Sequence, residues 1–577
     1  MSAGVGGSHE SGIYEVYVNG SLLISYGPSE NDSLVDTPTS YGTDTSVGGE
    51  VRGNYATWNP LDNAGPVLAN GNLDASRSTA SWSGSGCRAT LGVTSGKWYW
   101  EITQTSAPSG SANNHTGISK QAATLNNYLG ADINGWAYDG LNGFKLNNGS
   151  GVSYGATWTT NDVIGVAFDA DSGTLTFYKN GVSQGQAFSG LTSGPYFPTV
   201  SLYGTISCVA NFGQRPFAYT APSGFKALCT ANLPAPTIVN PSTVFDTKLY
   251  TSNAGTLTVS GLGFSPDFAW LKSRGTGVAH ALYDTVRGAG RALKSNTTEA
   301  EQFTTDGFVS FNSDGFTLGA NTSSPQPDIN YTNNVARVAW VWDAGSSTVT
   351  NTAGSISSQV RANASAGFSV VTWTYGNAPT VGHGLGVAPS LIIAKSRTVG
   401  TDWVVYHRSL GKDKLLVLNG TDAAITSSNY WGSSEPSSTV FGTIGNNTNS
   451  NNRGDMVAYC WAPLVGYSSM GSYVGNGSSD GVFVYNGFRP KLILIKRTDS
   501  SGQWTMYDTA RDSSNVSKTP LAPNESTAES GFTSGYNLDI LSNGFKWRDA
   551  GMVNNASGGT YIYFAVAESP FQYARAR

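Results

Sequence analysis

Charge is what this sequence has least of. Asp, Glu, Lys and Arg make up 12% of its 577 residues, about half the roughly 25% of ordinary soluble proteins. The net charge is −5 and no dense Lys/Arg run occurs, so the electrostatic footprint of a duplex-binding protein is missing and no nucleic-acid partner is expected. The four cysteines, Cys87, Cys208, Cys229 and Cys460, are scattered without a C-x-x-C pair. Zinc and redox chemistry are therefore not indicated, and buried thiols that stay reduced are expected. His9, His115, His280, His383 and His407 show no metal-ligand spacing, so neither a metal nor any other cofactor is expected. No 18-residue apolar run is present, and residues 1–7 lack a basic region followed by an apolar stretch. Membrane insertion and signal-directed export are not expected.

What is abundant is glycine, at 71 positions, together with aromatic residues at 11%. Gly and Asn supply turns while Thr, Val, Tyr and Trp suit sheet faces, so the composition predicts an all-β chain. Residues 13–26 alternate around Asn19-Gly20, the pattern of a two-strand hairpin with a tight primed turn. With the polar stretch that follows, residues 1–53 are read as an N-terminal docking arm. From residue 54 to residue 218, short aromatic and β-branched runs alternate with Gly/Asn turns, as in an antiparallel sandwich.

Three segments of that region carry a family pattern: Gly96-Lys97-Trp98-Tyr99-Trp100-Glu101-Ile102; Val163 to Asp169 running into Gly173 to Gly181; and Tyr196-Phe197-Pro198 leading to Asn211-Phe212-Gly213. With Gly135-Trp136-Ala137-Tyr138 between the first two, residues 54–218 resemble the SPRY family in order and spacing. The resemblance implies an antiparallel β-sandwich that binds partners through its inter-strand loops. The local pattern agrees, since Val166, Phe168, Leu175 and Phe177 can face one core while Asn180-Gly181 turns the chain.

Residues 219–241 are read as a Pro-rich linker. Beyond it, Gly263, Pro266, Lys272 and Tyr283 recur with identical internal spacing as Gly386, Pro389, Lys395 and Tyr406, and as Gly487, Pro490, Lys496 and Tyr507. This register predicts three repeated β-sandwich-like domains at 242–350, 351–465 and 466–577. Copies one and three share Tyr-Asp-Thr-x-Arg at 283–287 and 507–511, whereas the middle copy reads Tyr406-His407-Arg408. This half resembles repeat regions at the ends of bacteriophage tail fibres.

No catalytic residue is assigned, and the chain is expected not to be an enzyme. Gly151-Val152-Ser153-Tyr154-Gly155 fits a nucleophile elbow, but the following Ala156-Thr157-Trp158-Thr159-Thr160 is strand-like where that chemistry needs a helix. The stretch from Asp169 to Asn180 lacks the sixth-position Gly and twelfth-position Glu of a calcium loop. Arg453-Gly454-Asp455 matches a cell-adhesion tripeptide, for which coincidence is the simpler reading. Candidate ligand-binding residues are Asn113, Asn114 and His115 in a loop, the aromatic cluster Trp136, Tyr138 and Phe144, and the pair Tyr430 and Trp431 within a polar stretch. Core packing competes for Trp136, and domain-interface burial for the last pair. The resulting expectation is a virion structural protein, a phage tail-fibre or surface-fibre subunit attaching to a host surface glycan or protein. It would associate with itself as a homotrimer and dock on other virion proteins through the arm. A capsid or tail decoration protein and a glycan-degrading tailspike enzyme are the alternatives.

Overall fold

The computed structural model describes residues 54–571 except 108–112, 323–326, 377–378, 428–429, 444–453, 533 and 552, together with Gly48 and the backbone of two N-terminal strands. Those strands, Glu15–Val18 and Ser21–Ser25, pair antiparallel, while their Asn19-Gly20 turn and, Gly48 apart, the rest of the arm lie outside the described residues. So does Arg453 of the adhesion-like tripeptide. The fold is all-β: among the described residues the only helices are three 3-10 turns, none long and apolar enough to cross a membrane.

The first body is a sandwich of two antiparallel sheets. One contains Asn113–Ser119 between Gly135–Asp139 and Phe197–Tyr203. The other contains Lys97–Ser106 between Val163–Asp169 and Ile206–Asn211. Alternation puts Trp98, Trp100 and Ile102 into the space between the sheets. There they meet Val166, Phe168, Leu175 and Phe177 in one buried core, as the sequence pattern predicts. Asn180 and Gly181 both take positive φ, at 50° and 78°, which a two-residue primed turn requires. The segment opening at Asp169 is a hairpin turn whose carboxylate accepts from the backbone N–H of Asp171 and Ser172 and pairs with Lys97. Gly151–Gly155 leaves an edge strand, Ser150–Ser153, with no helix after it.

The sandwich does not stop at residue 218. Lys226–Ala227 adds a parallel pairing to the strand Lys97–Ser106, and Leu228 and Cys229 are fully buried. Backbone bonds from Ala56 to Leu228 and from Leu228 to Phe212 lock the segment in place. Residues 219–233 are therefore part of the first body rather than of a linker, because Leu228 and Leu233 complete its core. A fragment of residues 54–233 is expected to unfold cooperatively. The same fragment cut at 218 is expected to be at least about 2 kcal/mol less stable, the usual cost of losing one buried leucine. Equal urea midpoints for the two would contradict this.

The second half contains three sheets with one strand order. In the first, Phe245–Thr251, Ala336–Trp342, Phe268–Ser273 and Ala281–Asp284 lie side by side. In the second the same positions are held by Phe368–Thr374, Asp455–Trp461, Leu391–Ser396 and Val404–His407, with extra strands at both edges. In the third they are held by Ser468–Val474, Thr560–Pro570, Phe488–Arg497 and Trp504–Asp508. The edge strand Thr348–Asn351 straddles the boundary expected at 350 and belongs to the second sheet. All four cysteines are free and buried.

The three units close on one another through matched joints. Lys272, Lys395 and Lys496, all buried, each donate from Nζ to a neighbour's backbone carbonyl: Ser526 at 2.8 Å, Thr298 at 3.0 Å and Thr421 at 3.1 Å. The first unit thus grips the third, the second grips the first, and the third grips the second. Eight residues after each lysine, His280 meets Ala522 O at 3.0 Å, Trp403 Nε1 donates to Lys294 O at 2.7 Å and Trp504 Nε1 to Val417 O at 2.9 Å, in the same rotation. Backbone N–H groups of Glu529, Glu301 and Ala424 repeat it, donating to the carbonyls of Arg274, Arg397 and Thr498. Phe268, Trp342, Phe368, Tyr459, Trp461 and Phe564 from all three units share one core, with Phe268 and Tyr459 centroids 4.2 Å apart.

The lysines carry a pH consequence. Burial pulls Lys272 down to about 7 and Lys395 and Lys496 to about 8, from 10.5 in exposed chain. Between those values and 10.5 the unfolded chain binds more protons than the fold, so stability rises with pH across the window, on the order of 2 kcal/mol per lysine. Urea midpoints at pH 7 and 9.5 should differ in that direction, and Lys272→Met should flatten the rise. A midpoint that falls over this range would contradict it.

Candidate interaction surface

At one end of the sandwich, three partly exposed rings surround a buried imidazole. Trp82 lies 4.5 Å from His115, 5.6 Å from Tyr128 and 5.1 Å from Tyr203, centroid to centroid. Each ring is positioned by polar anchors. Arg77 binds the carbonyls of Ser81 and Ser83 in the Trp82 loop and, at 3.0 Å, that of Leu202 beside Tyr203. The Tyr128 loop is fixed by Leu129 N–H donating to Ser201 Oγ at 2.8 Å and by Ser85 Oγ donating to Asn127 O at 3.1 Å.

His115 supports the cluster as a neutral base. Asn113 Nδ2 approaches its Nε2 at 3.2 Å and its Nδ1 faces Leu129 O at 3.3 Å, so Nδ1 carries the proton. Burial lowers its pKa to about 4, against the opposing pull of Asp139 3.8 Å away. The Asp139 carboxylate is engaged by the backbone N–H of Leu141 and by Asn142. Among the described residues no three His, Cys, Asp or Glu side chains form a group that could hold a metal ion. Rigid amphipathic rings of this kind bind by stacking and apolar contact at low entropic cost.

The structure places the sequence candidates differently. Asn113, Asn114 and His115 lie in a strand, not a loop, and are buried. Their side chains are taken up in internal hydrogen bonds, such as Asn114 Nδ2 donating across the sandwich to Gln104 Oε1 of the other sheet at 3.0 Å. Trp136 packs edge-on against Tyr196, and Tyr138, fully buried, donates to Ala156 O and packs on Phe177. Phe144 is exposed, on the edge hairpin. Tyr430 and Trp431 are 1% and 2% exposed, because they fold back onto Tyr406 within the second unit's own core. They are unavailable to a sugar ring. Trp82, Tyr128 and Tyr203, which make the surface, were not singled out by the sequence reading; the signal they leave is an isolated aromatic among Ser, Asn or Gly.

A second concavity, of about 710 Å³, lies where the sandwich meets the third unit. Its floor is a direct contact: Gln121 bonds the Phe483 carbonyl and the Tyr485 N–H, Tyr485 OH donates to Gly92 O at 3.2 Å, and Phe197 packs 5.0 Å from Tyr485.

Comparison with known proteins follows the two bodies. A family profile described as SPRY domain matches residues 97–215, and one described as Domain of unknown function (DUF7483) matches residues 240–570. The chain is similar to the E3 ubiquitin-protein ligase RKP of Arabidopsis thaliana, 35% identical over 25% of this chain and 11% of the relative. It is also similar to Ran-binding protein 10 of Danio rerio, 40% identical over 18% of this chain and 17% of that protein. Ran-binding protein 9 of Xenopus laevis is 41% identical over 18% of this chain and 19% of its own length. The chain thus spans less than a fifth of each of these relatives. Among solved structures, the SPRY domain of human HERC1 matches 26% of this chain and 96% of its own at 19% identity and a TM-score of 0.24.

These relatives correct the expectation of a phage fibre. They are plant and vertebrate proteins, so the fibre reading, its capsid-decoration and tailspike alternatives, the virion location and the host-attachment role are withdrawn. The expected virion and host-surface partners rested on that setting. The physical reason for the error is that low charge and a β-repeat register describe how a chain folds, and neither property specifies a particle.

Proposed function

The chain belongs to the family described as Domain of unknown function (DUF7483), whose profile covers more than half of it, and we propose that it is a non-enzymatic protein-interaction chain whose SPRY domain recognises a peptide segment of a partner protein. The observation that carries this reading is the surface of Trp82, Tyr128 and Tyr203 over the neutral His115. It has the composition of interface centres, where aromatic anchors dominate. The relatives support it by name, one being a ubiquitin ligase and two Ran-binding proteins; Ran itself is not implied as this chain's partner.

For the 240–570 body we propose three copies of one unit serving as a closed platform. The shared strand order, the Gly-Pro-Lys-Tyr register and the rotating joints support it. The middle copy's departure from Asp to His also fits. Asp284 accepts from Tyr459 OH of the second unit at 2.9 Å, and Asp508 from Trp340 Nε1 of the first at 3.0 Å. The corresponding residue facing His407 is Phe564, which has no polar group, and His407 pairs instead with the Tyr563 carbonyl at 3.2 Å.

The test is selection of binders from a displayed random-peptide library on the full chain, with counter-selection on Trp82→Ala. Binders that distinguish the two proteins support the reading. Binders that ignore the substitution overturn it.

A further inference from the structure

The cleft between the SPRY domain and the third unit is built unlike the aromatic surface. Among its described lining residues Lys120 is the only charged one, and no carboxylate lines it. The Lys120 ammonium donates to Ser193 Oγ at 2.7 Å and lies 5.9 Å and 5.7 Å from the ring centroids of Trp136 and Tyr196. These rings hold a cation in place without neutralising it. Across the Gln121–Tyr485 contact the wall continues at Asn486, whose buried carboxamide is turned onto the Tyr563 hydroxyl and so is not available to an occupant. The remaining wall is apolar, including Pro195, Pro234, Pro236, Leu464 and Met470.

We propose that this cleft is a second binding site, for a short extended peptide carrying a carboxylate. Its acidic side chain or C-terminus pairs with Lys120 and Ser193, and its apolar side chains lie along the proline wall. Three features select that occupant. A cation with no carboxylate among the described lining residues calls for an anion. The apolar wall calls for apolar side chains beside that anion. A concavity of about 710 Å³ lies within the roughly 300–1,000 Å³ range of ligand pockets. The occupant would touch both bodies, so its binding tightens their junction and raises the thermal midpoint by mass action.

The probes are three fluorescein-labelled pentapeptide pools, identical except for a fixed Glu, Gln or Lys at the centre, titrated onto the full chain by fluorescence polarisation. The Glu pool is expected to bind at least about 10-fold more tightly than the Gln pool, the size of one charge-assisted hydrogen bond, and the Lys pool more weakly still. Lys120→Met should erase the Glu-over-Gln preference while Lys120→Arg keeps it. Both variants should melt as the unliganded wild type does. Trp82→Ala should leave these affinities unchanged, which separates this site from the aromatic surface. Failure of every pool, equal binding of Glu and Gln pools, or an unaltered preference in Lys120→Met would overturn the proposal. So would binding of oligogalacturonate in place of any peptide.

Discussion

Arg287→Met is expected to cost about 3–5 kcal/mol, enough to bring a chain of ordinary stability near the edge of unfolding. Arg287 and Asp284 are both fully buried and bonded to each other. The same guanidinium reaches Tyr459 OH of the second unit at 3.1 Å and Glu301 at 3.1 Å, and Glu301 in turn is held by Arg397 of the second unit. Methionine keeps the volume but leaves the Asp284 carboxylate uncompensated in a low-dielectric interior. Asp284→Asn in the same background removes the stranded charge and should recover part of the loss. Because Tyr459 packs directly on Phe268 at the shared core, the damage should reach the joint between units. Calorimetry is expected to show a lower midpoint for the whole 240–570 body as a single transition. A loss under about 1 kcal/mol, or melting of the first unit alone, would show that the ring is three independent units.

Much of this architecture was legible in the sequence, for a physical reason. The residues that define the SPRY pattern, Trp98, Trp100, Phe168 and Phe177, are those that fill its core, so the motif and the packing are the same fact. The recurring lysine was legible too, since its side chain must cross from one unit to the next. Which neighbour it grips was not, because Lys272 and Ser526 stand 254 residues apart and local periodicity carries no such pairing. The connector was misjudged because its prolines, Pro222, Pro234, Pro236 and Pro241, suggested a linker, whereas Leu228 between the first two is a core residue and Leu233 packs against that core. The exposure of several candidate residues was misjudged in the opposite sense. Polar flanks around Tyr430-Trp431 and the Asn-rich start of the strand at Asn113 suggested exposure, but burial is decided by what packs against a segment. Trp82, Tyr128 and Tyr203 come from three separate stretches and meet only in the fold.

Trp82→Ala is expected to weaken a selected peptide by about 30-fold or more, the effect of removing a central aromatic anchor worth at least about 2 kcal/mol. It should cost little stability, on the order of 1 kcal/mol, since the ring is only partly buried and the sheet beneath it keeps its own hydrogen bonds. Tyr203→Ala should act in the same direction through the same ring contact. Phe144→Ala, on the exposed edge hairpin, should change neither quantity. The most direct measurement is hydrogen exchange of the full chain with and without the selected peptide. The account predicts slowed exchange in the loops around Trp82 and Tyr128 and at the strand end at Tyr203, absent in Trp82→Ala. Protection confined to the edge hairpin or to the 240–570 body, with the Trp82 loop unchanged, would contradict it.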